Sequence, residues 1–263
     1  MKLRIVTPTL MRSPWLGEAM QSAGTAAQEL VVVAPGSQRE ELAARFPVAR
    51  CIPESGGGLY SALNAGFRAV GDWTAGTWLN DDDRLVADGF RAAVACLESR
   101  PDLAGVYGRV RLIDGDGRYL AEIPVARSGD DLGPLLAAGV IPLAQPGTIF
   151  RRDLFAQLGG LDESLRLAGD MEFFQRAWAA GLRFGYVDAV VAEFRVHGGQ
   201  LSKQAVVRRQ ETEAVFAAAR RTAGWQRRAR AARWRFRWQN LGVYAERVRR
   251  HGWVSMEHLH AHE

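Results

Sequence analysis

The segment Gly58–Asp83, GLYSALNAGFRAVGDWTAGTWLNDDD, contains a change of period that fixes the fold class. Leu59, Leu63, Phe67 and Val70 recur every three or four residues, the spacing of one helix face, until Gly71 interrupts them. A short apolar run, Ala75–Leu79, follows and fits a buried strand; it ends in Asn80 and three consecutive aspartates. Three carboxylates at the end of a hydrophobic strand are costly unless they are hydrogen-bonded, ion-paired or bound to a cation. Helix, buried strand and charged edge together make a repeating unit of a parallel sheet, whose ligands bind beyond the carboxyl ends of the strands.

Outward from this unit the alternation continues. Leu3–Thr9 and Glu29–Ala34 read as strands, with helices expected at 14–23 and 37–45, a strand at 48–52 and a helix at 87–99. The expected fold is therefore α/β, a doubly wound, mostly parallel sheet flanked by helices. Two β-runs around Asp114-Gly-Asp-Gly117 predict a hairpin over 103–123. The Gly- and Pro-containing stretch 128–146 reads as a loop, and GTIF (Gly147–Phe150) as a strand. An amphipathic helix opens at Asp170, and a strand pair over 186–198 runs into His197. One domain is expected over 1–202, followed by a helical extension over 203–263.

Apolar residues make up 48% of the 263, enough for a sizeable core, and no window of about 18 apolar residues offers a membrane span. The N-terminus lacks the apolar region of a secretory signal, so a cytoplasmic protein is expected, peripheral at the inner face of the cell membrane if the tail binds lipid. Cys51 and Cys96 lack metal-ligand spacing and read as reduced core thiols. The net charge of +5 is unevenly distributed: residues 203–263 carry 14 Lys and Arg against 5 Asp and Glu, so the remainder is mildly acidic.

Three features bear chemistry. Asp81, Asp82 and Asp83 either form a capped turn or hold a hard cation such as Mn²⁺ or Mg²⁺, which is commonly bound by one or two carboxylates plus substrate phosphates. Asp170 either caps its helix or acts as a base kept anionic by the helix N-terminus. His197 is either a structural histidine or a metal ligand.

Four segments, IVTPTL, Gly56–Asp83, Gly147–Trp178 and FRVHGGQLS, resemble the inverting family 2 glycosyltransferases of the GT-A fold, in that family's order and spacing. The resemblance implies a nucleotide-sugar half over about 1–100 and an acceptor half over about 101–202. It also implies transfer of a sugar from a nucleotide-diphosphate donor to a hydroxyl of a glycan or lipid-linked acceptor. Asp82 takes the last position of that family's metal-binding motif, with Asp81, Asp83 and His197 as supporting ligands, and Asp170 takes the position of the general base. Thr7, Pro8 and Thr9 match the nucleoside-binding segment. Glu54, Asn64, Asn80 and Asp81 are expected on the donor, and Gln145, Arg151 and Glu172 on the acceptor side. Asn80 departs from the family's acidic residue. Ala34 and Pro35 replace the acids that usually read the base, which puts uracil in doubt.

In the tail, Ala231, Trp234, Trp238, Leu241, Ala245 and Val248 fall on one face of a basic helix. That face fits an anionic membrane surface, the body of the protein or a second copy in a homo-oligomer. No nucleic-acid-binding motif accompanies the charge. The alternatives to a transferase are a non-catalytic nucleotide-binding scaffold, which the losses at Ala34, Pro35 and Asn80 keep open but the retained Asp82, Asp170 and His197 oppose, and a nucleotidyltransferase. The latter needs a basic glycine loop that TPTLMRSP does not supply.

Overall fold

The computed structural model of the protein describes residues 1–199, 205–221 and 224–252. In chain order the first half contains β1 (Leu3–Pro8), α1 (Leu16–Gly24), β2 (Glu29–Ala34), α2 (Arg39–Arg45), β3 (Arg50–Pro53), α3 (Leu59–Arg68), β4 (Ala75–Trp78), β5 (Arg84–Leu85) and α4 (Ala87–Ser99). The second half contains β6 (Gly105–Ile113), β7 (Tyr119–Glu122), α5 (Leu132–Ala137), β8 (Thr148–Arg151), α6 (Arg152–Gln157), α7 (Gly169–Ala179) and β9 (Phe184–Arg195). Three helices follow: α8 (Ala205–Ala219), α9 (Trp225–Gln239) and α10 (Leu241–His251).

The sheet runs β3-β2-β1-β4-β8-β6-β9-β5, with β7 paired to β6. Strands β3, β2, β1 and β4 are mutually parallel, and β8 is antiparallel to both β4 and β6. Alternation along the parallel strands builds both faces: Val6, Val31 and Val33 enter one core cluster, Ile5, Leu30 and Val32 the other. The first face is covered by α3, α5, α6, α7 and α9, the second by α1, α2 and α4. Buried Arg4 in β1 is the exception to the apolar pattern. Its guanidinium pairs with Glu29 and donates to the carbonyls of Phe67 and Ala69, closing the end of α3.

The chain order reverses between β1 and β4, and there the carboxyl ends of adjacent strands part to leave a crevice. Thr9 and Asp81 face each other across it, the threonine hydroxyl donating to Asp81 Oδ2 at 2.5 Å. The aspartate triplet therefore lies at the switch point of the sheet.

Three expectations need correction. The stretch 128–146 is not all loop: Leu132, Leu135 and Leu136 bury one side of α5, and Pro134 sits in its first turn, where no intrahelical N–H is lost. The region 186–198 holds one long strand, β9, which stays paired to β6 through two register shifts. In the tail, of the partners open to the stripe, the body is not the one its tryptophans meet. Ala229, Ala232 and Phe236 are buried, whereas Trp234 and Trp238 are each 62% exposed. The helix also breaks at Asn240, whose side chain bonds to the backbone N–H and C=O of Val125. Trp253 and the expected boundary at Ser202 lie outside the described residues.

Helix α4 packs on β9 through Gly89, where a Cβ would stand 1.8 Å from the carbonyl oxygen of Val190. Gly89→Ala is expected to destabilise the fold by about 2 kcal/mol despite alanine's better helix propensity, because both contacting atoms are backbone. Gly17→Ala in α1, where nothing lies within 4 Å, serves as the control. Thermal melts should show a drop of roughly 5 °C for the first variant and none for the second.

Candidate active site

A cavity of about 690 Å³ opens at the switch point. The loop after β1 forms one wall, with Pro8, Thr9, Arg12, Ser13 and Trp15. That loop is held down locally. Thr9 Oγ1 accepts from the N–H of Met11, which adopts a left-handed φ of 61°, and Ser13 donates to the carbonyl of Asp81. Trp78, Asn80, Asp81, Asp82, Gln145, Tyr60, Arg166, Leu167 and Asp170 also line the cavity. His197 enters from the end of β9.

The three aspartates have separate fates. Asp82 Oδ2 lies 2.9 Å from His197 Nε2. On the other side of the ring, Gly199 N lies 3.2 Å from His197 Nδ1. The imidazole also packs on Trp15, with ring centroids 4.6 Å apart. Asp81 accepts the Thr9 hydroxyl, and burial, reinforced by the charge of Asp82, raises its pKa above the usual carboxylate value. Asp83 does not line the cavity: it is buried beneath it, accepting from the backbone N–H of Arg195 at 2.9 Å and from Asn80 at 3.4 Å. Burial and the neighbouring Asp82 push its pKa well up. Asp83 fastens the turn to β9, and the expected support for a metal rests on Asp81, Asp82 and His197.

Asp170 stands at the second position of α7, whose N-cap is Ala168, so it does not cap the helix. Backbone N–H groups of Asp170 and Met171 meet its carboxyl and favour the anion, but burial outweighs them and raises the pKa to about 6. The expected lowering by the helix N-terminus is thereby reversed, since desolvation of the charge exceeds what two peptide dipoles return.

Several expected site residues are engaged elsewhere. Arg151 terminates β8, which runs antiparallel to β4, so its guanidinium lies at the opposite end of the sheet and bonds to the carbonyls of Leu97 and Leu103. Glu172 forms an ion pair with Arg176 one turn along α7. Asn64 is fully engaged with the backbone of Leu161 and the side chain of Glu163. Thr7 is buried, and its hydroxyl has no hydrogen-bond partner among the described residues. Glu54 sits past the end of β3 with its N–H on the carbonyl of Ala34; neither it nor Ala34 and Pro35 line the cavity. Gln145 does line it, donating to the carbonyl of Trp78 at 2.7 Å.

Other residues emerge only from the fold. Arg12 and Arg166 line the cavity and have no ion pair among the described residues; Arg12 was legible as a cation just beyond a strand end. Glu211 had no local signal. From α8 it accepts the backbone N–H groups of Arg166, Leu167 and Ala168, and so fixes the segment leading to Asp170. Tyr60 is buried against the same segment, its ring so close that a Cβ on Gly169 would meet it at 2.6 Å.

Among the described residues, no group of three or more His, Cys, Asp or Glu side chains is placed to hold a metal. Asp82 and His197 offer two donors beside a cavity large enough for a ligand, an arrangement that suits a hard cation completed by phosphate oxygens.

A family model described as "Glycosyltransferase like family 2" matches residues 5–228. No curated protein matches the chain. Among solved structures it is similar to a mannosyltransferase from Pyrobaculum calidifontis in complex with GDP-Man and Mn²⁺, with 19% identity and a TM-score of 0.64, covering 93% of this chain and 74% of that one. It is also similar to S. aureus TarS residues 1–349, with 16% identity and a TM-score of 0.57, covering 74% of this chain. The chain spans 60% of that TarS fragment and 37% of a longer TarS chain. The switch-point sheet is thus the GT-A arrangement, and the chain belongs to the family 2-like glycosyltransferases.

Proposed function

We propose that the protein is a metal-dependent inverting glycosyltransferase that moves a sugar from a nucleotide-diphosphate donor to a hydroxyl of a glycan or lipid-linked acceptor. One observation carries the reading: a carboxyl with a pKa of about 6, Asp170, lines the same cavity as the Asp82–His197 pair. A base with that pKa is ionised at neutral pH yet basic enough to take a proton in the transition state. Asp170 removes the acceptor's hydroxyl proton. The oxygen forms a bond to the anomeric carbon on the face opposite the diphosphate, the bond to the diphosphate oxygen breaks, and the configuration inverts.

Asp82 and His197 would hold the Mn²⁺ or Mg²⁺, with Asp81 beside them, and a bound cation supplies charge stabilisation to the departing diphosphate. Arg12 and Arg166 line the same cavity and would add positive charge around the donor's diphosphate. Pro8, Thr9 and Asn80 border the donor end of the cavity, and Gln145 holds the carbonyl of Trp78 in place at its flank. The GDP-Man and Mn²⁺ held by the Pyrobaculum protein support a nucleotide-diphosphate donor and a divalent ion.

A thermal-shift series tests this reading. Nucleoside diphosphates and nucleotide sugars, each with Mn²⁺, Mg²⁺ or chelator, are expected to yield one base that raises the melting temperature by roughly 5–10 °C at about 100 times its Kd. The rise should vanish with chelator. Failure of every nucleotide sinks the transferase reading, whereas equal stabilisation with chelator sinks only its metal part. Because Ala34 and Pro35 bring no acceptor for a base edge, the same series identifies the base.

A further inference from the structure

Helix α9 carries six arginines and no carboxylate in its fifteen residues. One side of it is spent on the body: Ala229, Ala232 and Phe236 are buried, Asn240 fastens the end to Val125, and Arg235 pairs with Asp131. The side turned outward is neither apolar packing nor an ordinary solvated surface. Trp234 and Trp238 stack on each other with centroids 6.0 Å apart at 20°, both 62% exposed, and Leu241, the first residue of α10, is 50% exposed. Beside them a groove of about 760 Å³ runs between α9 and the end of α5, bordered by Arg220, Arg230, Arg233 and Arg237. Arg230, Arg233 and Arg237 make no hydrogen bond or ion pair from their side chains among the described residues.

Exposing two tryptophans in water costs free energy that burial would recover, so a partner that covers them is expected. Its charge is set by the arginines. A second copy meeting this face isologously would bring its arginines against these, an arrangement like charges oppose. A lipid surface meets both demands at once. Tryptophan rings settle at the level where headgroups give way to acyl chains, and arginines pair with phosphates. The remainder of the charge agrees: residues 203–263 are strongly basic and the rest of the chain mildly acidic, so the molecule carries a moment that turns the tail toward an anionic surface.

We propose that the outer face of α9 and the start of α10, built on Trp234, Trp238, Leu241 and the Arg230–Arg233–Arg237 row, docks the protein peripherally on anionic phospholipid bilayers. Docking needs no spanning segment, and no helix among the described residues is long and apolar enough to cross a membrane. It stands independently of the transferase reading.

Flotation of the full chain with vesicles tests it, at about 0.1 M salt, where charges still act over about 10 Å. Vesicles of about one-third phosphatidylglycerol in phosphatidylcholine should carry the protein, and pure phosphatidylcholine should not. Trp234→Ala with Trp238→Ala should lower the partition about tenfold or more. Arg230→Gln, Arg233→Gln and Arg237→Gln together should lower it on the order of 100-fold. Both variants should keep the wild-type melting temperature, since the altered side chains are not in the core. A blue shift of tryptophan emission on phosphatidylglycerol vesicles, lost in the tryptophan variant, would confirm the contact. The proposal fails if the wild-type chain stays unbound, or if neither set of substitutions weakens binding. It fails equally if sedimentation shows a dimer that the tryptophan variant dissolves, or if an anionic polysaccharide or single-stranded DNA binds while the vesicles do not.

Discussion

Asp170→Asn is expected to lower the rate of sugar transfer by about 10³-fold while donor affinity changes by less than about twofold. The asparagine keeps the shape and the place at the second position of α7 but cannot accept a proton, and general-base catalysis is worth about 10²–10⁴ in rate. The wild-type pH profile should carry the same group: kcat/KM rises tenfold per unit below a pKa of about 6 and levels above it, and the variant's residual rate lacks that limb. Stability should move the other way. The folded carboxyl holds its proton up to about pH 6 instead of the usual 3.8, so the folded state binds more protons than the unfolded chain between those values. Stability of the wild-type protein is therefore lost as pH rises through that window, by as much as about 3 kcal/mol, and the uncharged variant escapes the loss. Melts should find Asp170→Asn more stable than wild type at pH 8 and equal to it near pH 4. A variant that retains turnover, or one that melts below wild type at pH 8, removes Asp170 from the role of desolvated base.

Asp82→Ala is expected to abolish cation-dependent donor binding, and Asp83→Ala to leave it in place. The two residues are adjacent and of one chemical type, so the contrast tests position alone. Asp82 shares the cavity with His197, and losing it removes one of two donors for a hard cation; binding of the diphosphate with Mn²⁺ should weaken by about 100-fold or more. Asp83 is buried on the backbone N–H of Arg195, and its removal orphans that donor. Its cost should appear as about 1–3 kcal/mol of stability, with the nucleotide-induced rise in melting temperature retained. Calorimetric titration of Mn²⁺ with the preferred diphosphate separates the two. If Asp82→Ala binds as wild type does, the cation site lies elsewhere.

How far these residues were readable from the chain varied with the range of the interaction involved. The helix–strand alternation over the first hundred residues translated almost element for element, because hydrophobic period and glycine punctuation are local and the parallel strands are buried on both faces. The aspartate triplet at a strand end and the acid opening α7 were visible for the same reason. In the tail, periodicity left the stripe's partner open. Trp234 and Trp238 lie in α9 but Leu241 and Val248 in α10, and the side of α9 that meets the body bears Ala229, Ala232 and Phe236, whose alanines allow close approach. The direction of Asp170's pKa was misjudged because a helix terminus can be read from sequence and desolvation cannot.

The sequence by itself determined the strand–helix alternation and the kinds of side chain at the strand ends, because each follows from neighbours a few residues apart, whereas the strand order and its switch point are tertiary. Only the tertiary structure decided which of three identical aspartates reaches the cavity, why Arg151 does not, and that Glu211 anchors the approach to Asp170. Those outcomes depend on strand direction and on contacts spanning 43 to 112 residues, which no local pattern encodes. The same holds for WLNDDDRL, where a run of like charges becomes tolerable once β9 brings a backbone donor beneath Asp83 and an imidazole beside Asp82.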